Sequence, residues 1–346
     1  MDGRWYNVPV ARYVIRRLAL APLALLGVSV ITFVLIRIVP GDPTDRLVGA
    51  AFLTEERRAE IRREYGLDRP WPVQFVTYLR GLTGGDLGTS FLTSRPVAAD
   101  LRQRFPATLE LTLAAMLFAI VVALPLGAAS AVWAHSWLDH VGRVLAVVGV
   151  SMPVFWSGLI LLYMFFFLWP LAPAPIGRLE PHLLTPATVT GLFTVDALVA
   201  RDGAALVGAL RSLALPALAL GLAAMAPLAR MARAAMREAL SSDYVRAARA
   251  LGLAEGTVIV RHALRASWVP VVTMIAVVFG YQLGGVVLVE AVFAWPGLGQ
   301  YAYHAVANAD YPAVQGFILY ATGMYLGLFL AVDLLCAVLD PRARAA

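Results

Sequence analysis

The chain has 346 residues, of which 60% are hydrophobic and only 14% are charged, with a formal net charge of +6. Soluble globular domains carry about 25% charged residues, so this composition excludes a soluble enzyme and a disordered tail. All 28 basic residues are arginines. Without lysine the chain has neither the lysine of a phosphate-binding loop nor a Schiff-base nucleophile, and we expect any ATP to be hydrolysed by another chain.

Six uncharged runs are long enough to cross a membrane, since a helix needs roughly 20 apolar residues to span the bilayer core. They are Leu18–Ile36, Leu111–Trp133, Val144–Trp169, Ser212–Ala229, Ala266–Val289 and Ala313–Val332. The first run resembles a signal peptide, but it is longer than the apolar part of such peptides and no A-x-A cleavage site follows it. We interpret it as an uncleaved first span.

Arginines in the short connections set the orientation, because they concentrate on the cytoplasmic side of a membrane. They lie before the first run, between the fourth and fifth runs, and after the last run: Arg4, Arg12, Arg16, Arg17, Arg230, Arg233, Arg237, Arg246, Arg249, Arg261, Arg265, Arg342 and Arg344. The connection from Glu290 to Pro312 has none. We predict a multi-pass protein of the cell membrane with both termini cytoplasmic, and we attribute its basic charge to the membrane rather than to nucleic acid.

Two outer connections are too long to be turns. Residues 40–106 form an external segment with a predicted helix over Thr54–Tyr65, which Thr54 caps and Gly66 ends. Residues 171–211 are only moderately apolar and are interrupted by charges, so we place them at the outer interface. A seventh span, with residues 183–200 entering the membrane, is the alternative.

The inner connection, residues 230–266, predicts two helices joined by a turn. The fourth span continues as a helix over Met225–Leu240, and a short helix Tyr244–Leu251 follows and ends at Gly252. Ser241, Ser242 and Asp243 supply N-cap residues between them.

Small residues on the short helix suggest a docking surface. We expect Ala247, Ala248 and Gly252 to lie on one side, where they allow another surface to approach the backbone closely. The alternative is that this arginine-bearing helix lies on the anionic inner leaflet of the membrane.

The same loop carries a family resemblance. The pattern Ala247-Ala248-x3-Gly252, followed by Arg261-His262-Ala263-Leu264-Arg265 and Pro270, resembles the loop with the EAA motif in permease subunits of ABC importers. Arg246 replaces the glutamate of that motif, as is usual in the peptide and nickel branch of the family.

Further motifs along nearly the whole chain resemble dipeptide and oligopeptide permeases. They are Val39-Pro40-Gly41-Asp42-Pro43, Tyr65-Gly66-Leu67-Asp68, Gly85-Asp86-Leu87-Gly88, Phe105-Pro106-Ala107-Thr108-Leu109-Glu110, Ser151-Met152-Pro153-Val154-Phe155-Trp156, Val289-Glu290-Ala291-Val292-Phe293, Pro296-Gly297-Leu298-Gly299, Asp310-Tyr311-Pro312 and Asp340-Pro341-Arg342. The occurrence of all these motifs in this order is far more specific for the family than any one motif alone. The segment from Thr190 to Leu198 also resembles inserts common in the peptide branch.

The resemblance implies an all-α integral membrane protein with six transmembrane helices of the type I ABC importer permease fold. It divides the chain into a cytoplasmic N-terminus with the first span (1–39), an external segment (40–106) and a core permease domain (107–346). The implied partners are a second homologous permease, two ATP-binding subunits that hold ATP and Mg, an external substrate-binding protein, membrane lipid and a peptide substrate. No cofactor is expected on this chain, and no nucleic acid.

The resemblance also assigns candidate roles to residues. The ATPase-docking residues of the coupling helix are Asp243, Tyr244, Arg246, Ala247, Ala248, Gly252 and Leu253, and the loop is supported by Arg261, His262 and Arg265. A lone histidine has no partner ligands, so we predict a structural role for His262 and no metal site.

Polar or small residues in the fifth and sixth runs are candidates for lining a pathway, although such residues also serve helix packing. They are Gln282, Gly284, Gly285 and Gln315. On the outer side, the turn with Glu290, Trp295, Pro296 and Gly297 is a candidate gate or docking surface for the binding protein, and the alternative is a tight turn with an interfacial tryptophan.

The predicted function is ATP-driven uptake of di- or oligopeptides, with half of the translocation pathway formed by this chain, which is not itself an enzyme. The alternative within the family is uptake of nickel or a metal chelate. The hypothesis of a gradient-driven transporter is disfavoured, because such a protein is expected to carry carboxylates near the middle of the membrane and the central parts of the six runs have none. An intramembrane enzyme is opposed because the runs contain no paired set of catalytic residues.

Overall fold

A computed structural model describes residues 10–38, 55–64 and 66–339. In this part of the chain the structure is helical, apart from an isolated bridge between Thr89 and Pro96, and the predicted all-α class is confirmed. The helices are α1 (Val10–Ile38), α2 (Glu55–Glu64), α3 (Trp71–Thr83), α4 (Val97–Val132), α5 (Trp137–Ser151), α6 (Val154–Leu162), α7 (Phe193–Val199), α8 (Gly203–Ser241), α9 (Asp243–Ala250), α10 (Leu264–Val292), α11 (Leu298–Ala307) and α12 (Tyr311–Leu339). A π-helical stretch Tyr163–Leu168 continues α6, and a short turn Glu255–Thr257 with the π-helical stretch Val258–Ala263 leads into α10.

Some predictions fall outside the described residues. They concern Arg4, the motif Val39 to Pro43, Thr54, Tyr65, and the C-terminal segment with Arg342 and Arg344. The helix predicted over Thr54–Tyr65 is confirmed as α2, and Gly66 follows it with a φ of +64°, the left-handed conformation in which helices commonly end. Its external position stays a prediction.

Five helical segments in the described part of the chain are long and apolar enough to cross a membrane. They are Arg17–Ile38, Val97–Val132, Gly203–Ser241, Glu255–Gln282 and Tyr311–Ala331, and they coincide with five of the six predicted spans.

The third predicted span, Val144–Trp169, is wrong as a single helix. Helix α5 ends at Ser151, and α6 begins at Val154 after Pro153. Proline has no N–H to donate and disfavours helical backbone at the residue before it, so the helix breaks at this point. The second half of the run forms a shorter apolar helix over Val154–Leu168.

The chain divides into two compact units, the first made mainly of residues 109–295 and the second of residues 16–108 and 296–326. In the first unit α8 packs against α10, α5 and α6. Small residues also bring α4 close to α8: a Cβ at Gly127 of α4 would lie 2.6 Å from the carbonyl oxygen of Ala229, and one at Gly221 of α8 would lie 2.6 Å from the ring of Phe118.

The second unit has its own apolar core. Val97 and Leu101 of α4 pack in it with Leu298, Tyr301 and Ala305 of α11. Asp310, between α11 and α12, fixes the loop before α4, because its Oδ2 accepts hydrogen bonds from Ser90 Oγ (2.5 Å) and Leu92 N (3.1 Å).

Candidate functional site

The short helix α9 has sharply defined ends. Ser242 precedes it with extended backbone, as predicted, but its hydroxyl donates to the carbonyl of Ala239 instead of capping α9. At the other end Gly252 has a φ of +78°. The N–H of Leu253 donates to Ala248 O (3.3 Å) and that of Gly252 to Arg249 O (2.9 Å), which is the hydrogen-bond pattern of a Schellman motif.

One face of α9 packs onto the chain's own core. Val245 and Ala248 are buried, at spacing i and i+3. Their apolar cluster also contains Ala131, Met236, Ala239, Val258 and Ala263. The prediction that Ala247, Ala248 and Gly252 lie on one side is therefore wrong. Consecutive helical residues point about 100° apart, and of these three residues only Ala247 and Gly252 are exposed, while Ala248 is buried.

Beside this buried face, the loop exposes apolar side chains. Tyr244 is 45% exposed, Leu251 is 81% exposed and Leu253 is 41% exposed. With Ala247 and Gly252 they form a surface that we call the α9 surface. The underlying core cluster holds α9 in place, so the surface is presented by a braced helix rather than by a free loop.

Four charged residues in and just after α9 are paired within the chain. Arg246 contacts Asp243 one turn before it, and Arg249 donates to both carboxylate oxygens of Glu255, at 2.6 and 3.1 Å. Arg249 thereby ties α9 to the turn that follows it.

Of the predicted supporting residues, Arg261 and His262 lie between α9 and α10, and Arg265 lies in the first turn of α10. Arg261 and Arg265 are exposed and His262 is partly exposed. Among the described residues, the structure brings no three His, Cys, Asp or Glu side chains together in an arrangement that could hold a metal ion. The structural role of His262 stays a prediction.

A buried ion pair near this loop was not predicted from the sequence. Asp139 of α5 has a fully buried side chain, and Arg233 of α8 donates to it from Nε (2.7 Å) and Nη2 (3.0 Å). The hydrogen bonds from Arg233, followed by that from the His135 backbone, lower the pKa of Asp139 to about 2. The two residues are far apart in sequence, so no local pattern links them.

A cavity of about 280 Å³ lies between α6, α8 and α10. Two of the predicted pathway residues, Gln282 and Gly285, line it, and the described lining residues also include Val154, Leu220, Ala223, Pro227, Met274 and Tyr281. The other two predicted pathway residues do not: Gly284 is exposed, and Gln315 is buried in α12 in the second unit.

The predicted outer turn is largely inaccessible. Glu290 and Trp295 are at most 1% exposed, and the Trp295 N–H donates to the Glu290 carbonyl at 2.9 Å. The alternative of an interfacial tryptophan is thus wrong, since this side chain is a core residue. Gly297 is buried and Pro296 is exposed, and a gating role for the turn stays a prediction.

A second buried charge cluster, also not predicted, anchors the outer segment. Arg178 Nη2 donates to Glu110 Oε2 (2.5 Å) and to the carbonyl of Gly191 (2.7 Å), and its guanidinium lies 3.7 Å from the ring centre of Phe193. Glu110 Oε1 accepts from the N–H and hydroxyl of Thr194 at the start of α7. The cluster ties the 171–211 segment to α4.

Asp196 completes this anchoring from within α7. Its carboxylate accepts from Thr190 N and Oγ1, both at 2.7 Å, and from Gly191 N at 2.9 Å. Burial alone would raise the pKa of Asp196, but these hydrogen bonds outweigh it and lower the pKa.

Comparisons with known proteins point to one family. Residues 123–345 match the family described as binding-protein-dependent transport system inner membrane component, and residues 10–112 match its N-terminal family. The chain is 42% identical over 320 residues to the probable D,D-dipeptide transport system permease protein of Escherichia coli, covering 92% of this chain and 94% of that protein.

Two further relatives agree with this result. The dipeptide transport system permease protein of Escherichia coli is 38% identical over 96% of this chain and 98% of its own length. The di/tripeptide transport system permease protein of Pseudomonas aeruginosa is 39% identical over the same shares.

Proposed function

This chain belongs to the family of binding-protein-dependent transport system inner membrane components, and from that membership we propose that it is the permease subunit of an ATP-driven importer of di- and oligopeptides. The observation that carries the proposal is the similarity to dipeptide permeases over more than nine tenths of the chain. These relatives are named for peptides, and this favours peptides over nickel or a metal chelate as the substrate.

The proposed complex contains more than this chain. It comprises a second, homologous permease that supplies the other half of the pathway, two subunits that bind and hydrolyse ATP with Mg, and an external binding protein that delivers the peptide. This chain itself binds no cofactor and no nucleic acid. Both termini face the cytoplasm, which puts the α9 surface on the side where ATP is available; the distribution of arginines supports this orientation.

The α9 surface is the proposed docking site for an ATPase subunit. Exposed aromatic and aliphatic side chains surrounded by charge suit a cleft in a partner protein, and Tyr244, Leu251 and Leu253 have this character. Because Val245 and Ala248 brace the helix from within, closure of the ATPase subunits would move α9 together with α8. Such a movement would shift the populations of inward-facing and outward-facing states.

The test separates docking from folding. The tagged chain is co-expressed with its partners, purified in detergent and assayed for co-purifying subunits and for ATPase activity stimulated by peptide and binding protein. We expect Leu251→Asp, which places a carboxylate on the α9 surface, to reduce both readouts at least tenfold. Leu184→Asp is the matched control for co-purification, because Leu184 is 87% exposed but lies in the 171–211 segment, away from α9 and outside the five apolar helical segments. Wild-type protein that purifies alone and transports peptide without ATP would refute the proposal.

A further inference from the structure

Helix α3 lies beside the C-terminal end of α1. Gln74 Oε1 accepts two hydrogen bonds from the Arg37 guanidinium, at 2.8 and 3.2 Å. The ring of Phe33, one turn earlier in α1, has centroid distances of 5.0 Å to the ring of Phe75 and 6.2 Å to that of Tyr78. Phe33 is only 4% exposed, and these contacts hold α3 against the last two turns of α1.

This part of α1 lies within an apolar segment that is just long enough to cross a membrane. The segment Arg17–Ile38 has 22 residues, which as a helix measure about 33 Å, close to the thickness of the hydrocarbon core of about 30 Å. Phe33 comes five residues before Ile38 and is therefore about 7.5 Å inside the segment. Because α3 packs on Phe33, it lies at the level of the membrane boundary.

The loop that follows α3 returns at the end of a second span. The apolar segment of α12 is Tyr311–Ala331, and the Arg37 guanidinium lies 5.5 Å from the ring centre of Tyr311, so the two spans end at the same level. A Cβ at Gly316 would lie 3.5 Å from the Cβ of Leu87, and Gly316 is about 7.5 Å inside its segment. Both ends of α3 are thus fixed at one membrane boundary.

The surface of α3 that α1 leaves uncovered has an unusual composition. Trp71, Val73 and Val76 are 51%, 45% and 47% exposed. Arg80 is also exposed, and residues 69–85 contain no acidic residue. A tryptophan, aliphatic side chains and an arginine are typical of helices that lie in the interface of a membrane. The other exposed residues of α3 are uncharged: Pro72, Thr77 and Thr83.

The neighbouring surface of α1 is apolar as well. Val34, Leu35 and Ile38, which alternate with the residues that contact α3, are 38%, 58% and 63% exposed. An apolar surface that continues from the end of a span onto a packed helix suits lipid, and the absence of carboxylates suits the anionic headgroups of bacterial lipids.

We propose that α3 is an interfacial helix, which binds the lipid surface with Val73 and Val76 directed towards the acyl chains and Trp71 at the headgroups. With the orientation proposed above, this is the outer leaflet. The end of α1 is then anchored twice, by its own span and by α3 through the bonds between Arg37 and Gln74. The expected external segment thus contains a part that stays in the membrane boundary.

The test measures what surrounds α3 in the complete complex, reconstituted in vesicles of phosphatidylethanolamine and phosphatidylglycerol. In a Cys336→Ser background, a nitroxide spin label is attached to the cysteine introduced by Val76→Cys. Its collisions with oxygen, which is apolar and concentrates in lipid, are compared with its collisions with a water-soluble nickel chelate.

The matched control is Ala59→Cys, because Ala59 is an exposed residue of α2, a helix in which eight of the ten residues are charged. We expect the ratio of oxygen to nickel collisions to be at least about threefold higher at position 76 than at position 59. Val73→Cys is expected to give the same high ratio, which excludes a local effect of one label.

Three results would overturn the proposal. Equal ratios at positions 76 and 59, with the nickel chelate reaching both, would mean that α3 lies in water. Few collisions with either reagent at position 76 would mean that a protein subunit covers α3. A high ratio at only one of positions 73 and 76 would mean that the helix does not present this face to lipid. The label reports on α3 whether or not the complex transports peptide, so failure of the proposed function is a separate outcome, seen as absent uptake by the wild type.

Discussion

Arg233 of α8 and Asp139 of α5 form a two-pronged ion pair, with Nε to Oδ1 at 2.7 Å and Nη2 to Oδ2 at 3.0 Å. Arg233 is about two turns before the end of α8, the helix that leads into α9. Bidentate arginine–carboxylate pairs fix orientation as well as proximity. The pair therefore joins the helix that carries the α9 surface to the helix that precedes the Pro153 break.

The first prediction concerns this pair. We expect Asp139→Asn to uncouple ATP hydrolysis from uptake, with peptide transport falling about tenfold more than ATPase activity, because a neutral amide cannot hold both guanidinium nitrogens. The measurement is the ratio of peptide taken up to ATP hydrolysed in vesicles. Arg143→Ala is the control, since Arg143 contacts Asp139 only at 3.9 Å. Equal losses of ATPase activity and transport would contradict the expectation.

How the stabilising effect of this ion pair depends on pH follows from the pKa of Asp139. Because the pKa of Asp139 is lowered to about 2, its stabilising contribution is fully present above the unfolded pKa, near 3.9, and is lost as pH falls through 2. We expect the ratio of transport between wild type and Asp139→Asn to stay constant between about pH 5 and pH 8. A ratio that changes over that range would mean that another group titrates with the pair.

The second prediction concerns Gly252. A Cβ there meets no atom within 4 Å, so the cost of substitution comes from the φ of +78° alone. We expect Gly252→Ala to destabilise the loop by about 1–2 kcal/mol and Gly252→Asn by less, since asparagine tolerates left-handed backbone better. Hydrogen exchange of the amides of Leu251 to Leu253 measures both, and equal protection in the two variants would argue against a strain effect.

The third prediction concerns the link between Arg249 and Glu255, which joins the end of α9 to the next turn. Glu255→Gln removes the charge that the Arg249 guanidinium binds, and we expect faster hydrogen exchange at the C-terminal end of α9 with little change at its start. Asp243→Asn, at the other end of the helix, is expected to give the opposite distribution. Uniform exchange along α9 in both variants would contradict this.

The fourth prediction concerns the buried pair of Glu110 and Arg178. Arg178→Met leaves a buried carboxylate without its cation, and we expect a loss of about 3–5 kcal/mol of stability. The double variant Glu110→Gln with Arg178→Met removes both charges and should recover part of that loss. Thermal unfolding of the detergent-purified complex measures both. A double variant less stable than the single one would show that the Glu110 carboxylate stabilises the fold without Arg178, through its hydrogen bonds from Thr194.

Local signals in the sequence predicted much of this structure. The C-terminal end of α9 follows from Gly252, and α2 ends before Gly66, because helix ends are set by residues within one turn. The start of α9 was predicted to within one residue, but the side-chain cap expected of Ser242 is not formed. Five spans were also predicted correctly, because the length of an apolar run can be counted in the sequence. The features that were not predicted depend on contacts between distant segments: the partner of Asp139 is Arg233, 94 residues away. Ala248 is buried because it packs in one cluster with Met236 and Val258. The residues next to Ala248 in the sequence do not indicate this packing.

The candidate pathway was predicted only in part. Gln282 and Gly285 reach the cavity, whereas Gly284 between them does not, because a helix turns each residue to a different direction. The residue types of Gln282, Gly284 and Gly285 do not by themselves indicate which of them line the cavity. Gln315 has the same chemistry as Gln282 but lies in another unit of the chain, and only tertiary structure separates the two.

Helix α8 is one uninterrupted element of 39 residues, about 59 Å long at 1.5 Å per residue and therefore nearly twice the thickness of the hydrocarbon core. Its Pro227 is about 21 Å from its C-terminal end, with the wall of the cavity on one side of that proline and α9 on the other. Pro227, like Pro216 earlier in the helix, has no N–H to donate to the preceding turn. With the orientation proposed above, a force that an ATPase subunit applies to α9 would therefore pass through a position of α8 where one backbone hydrogen bond is missing before it reaches the cavity.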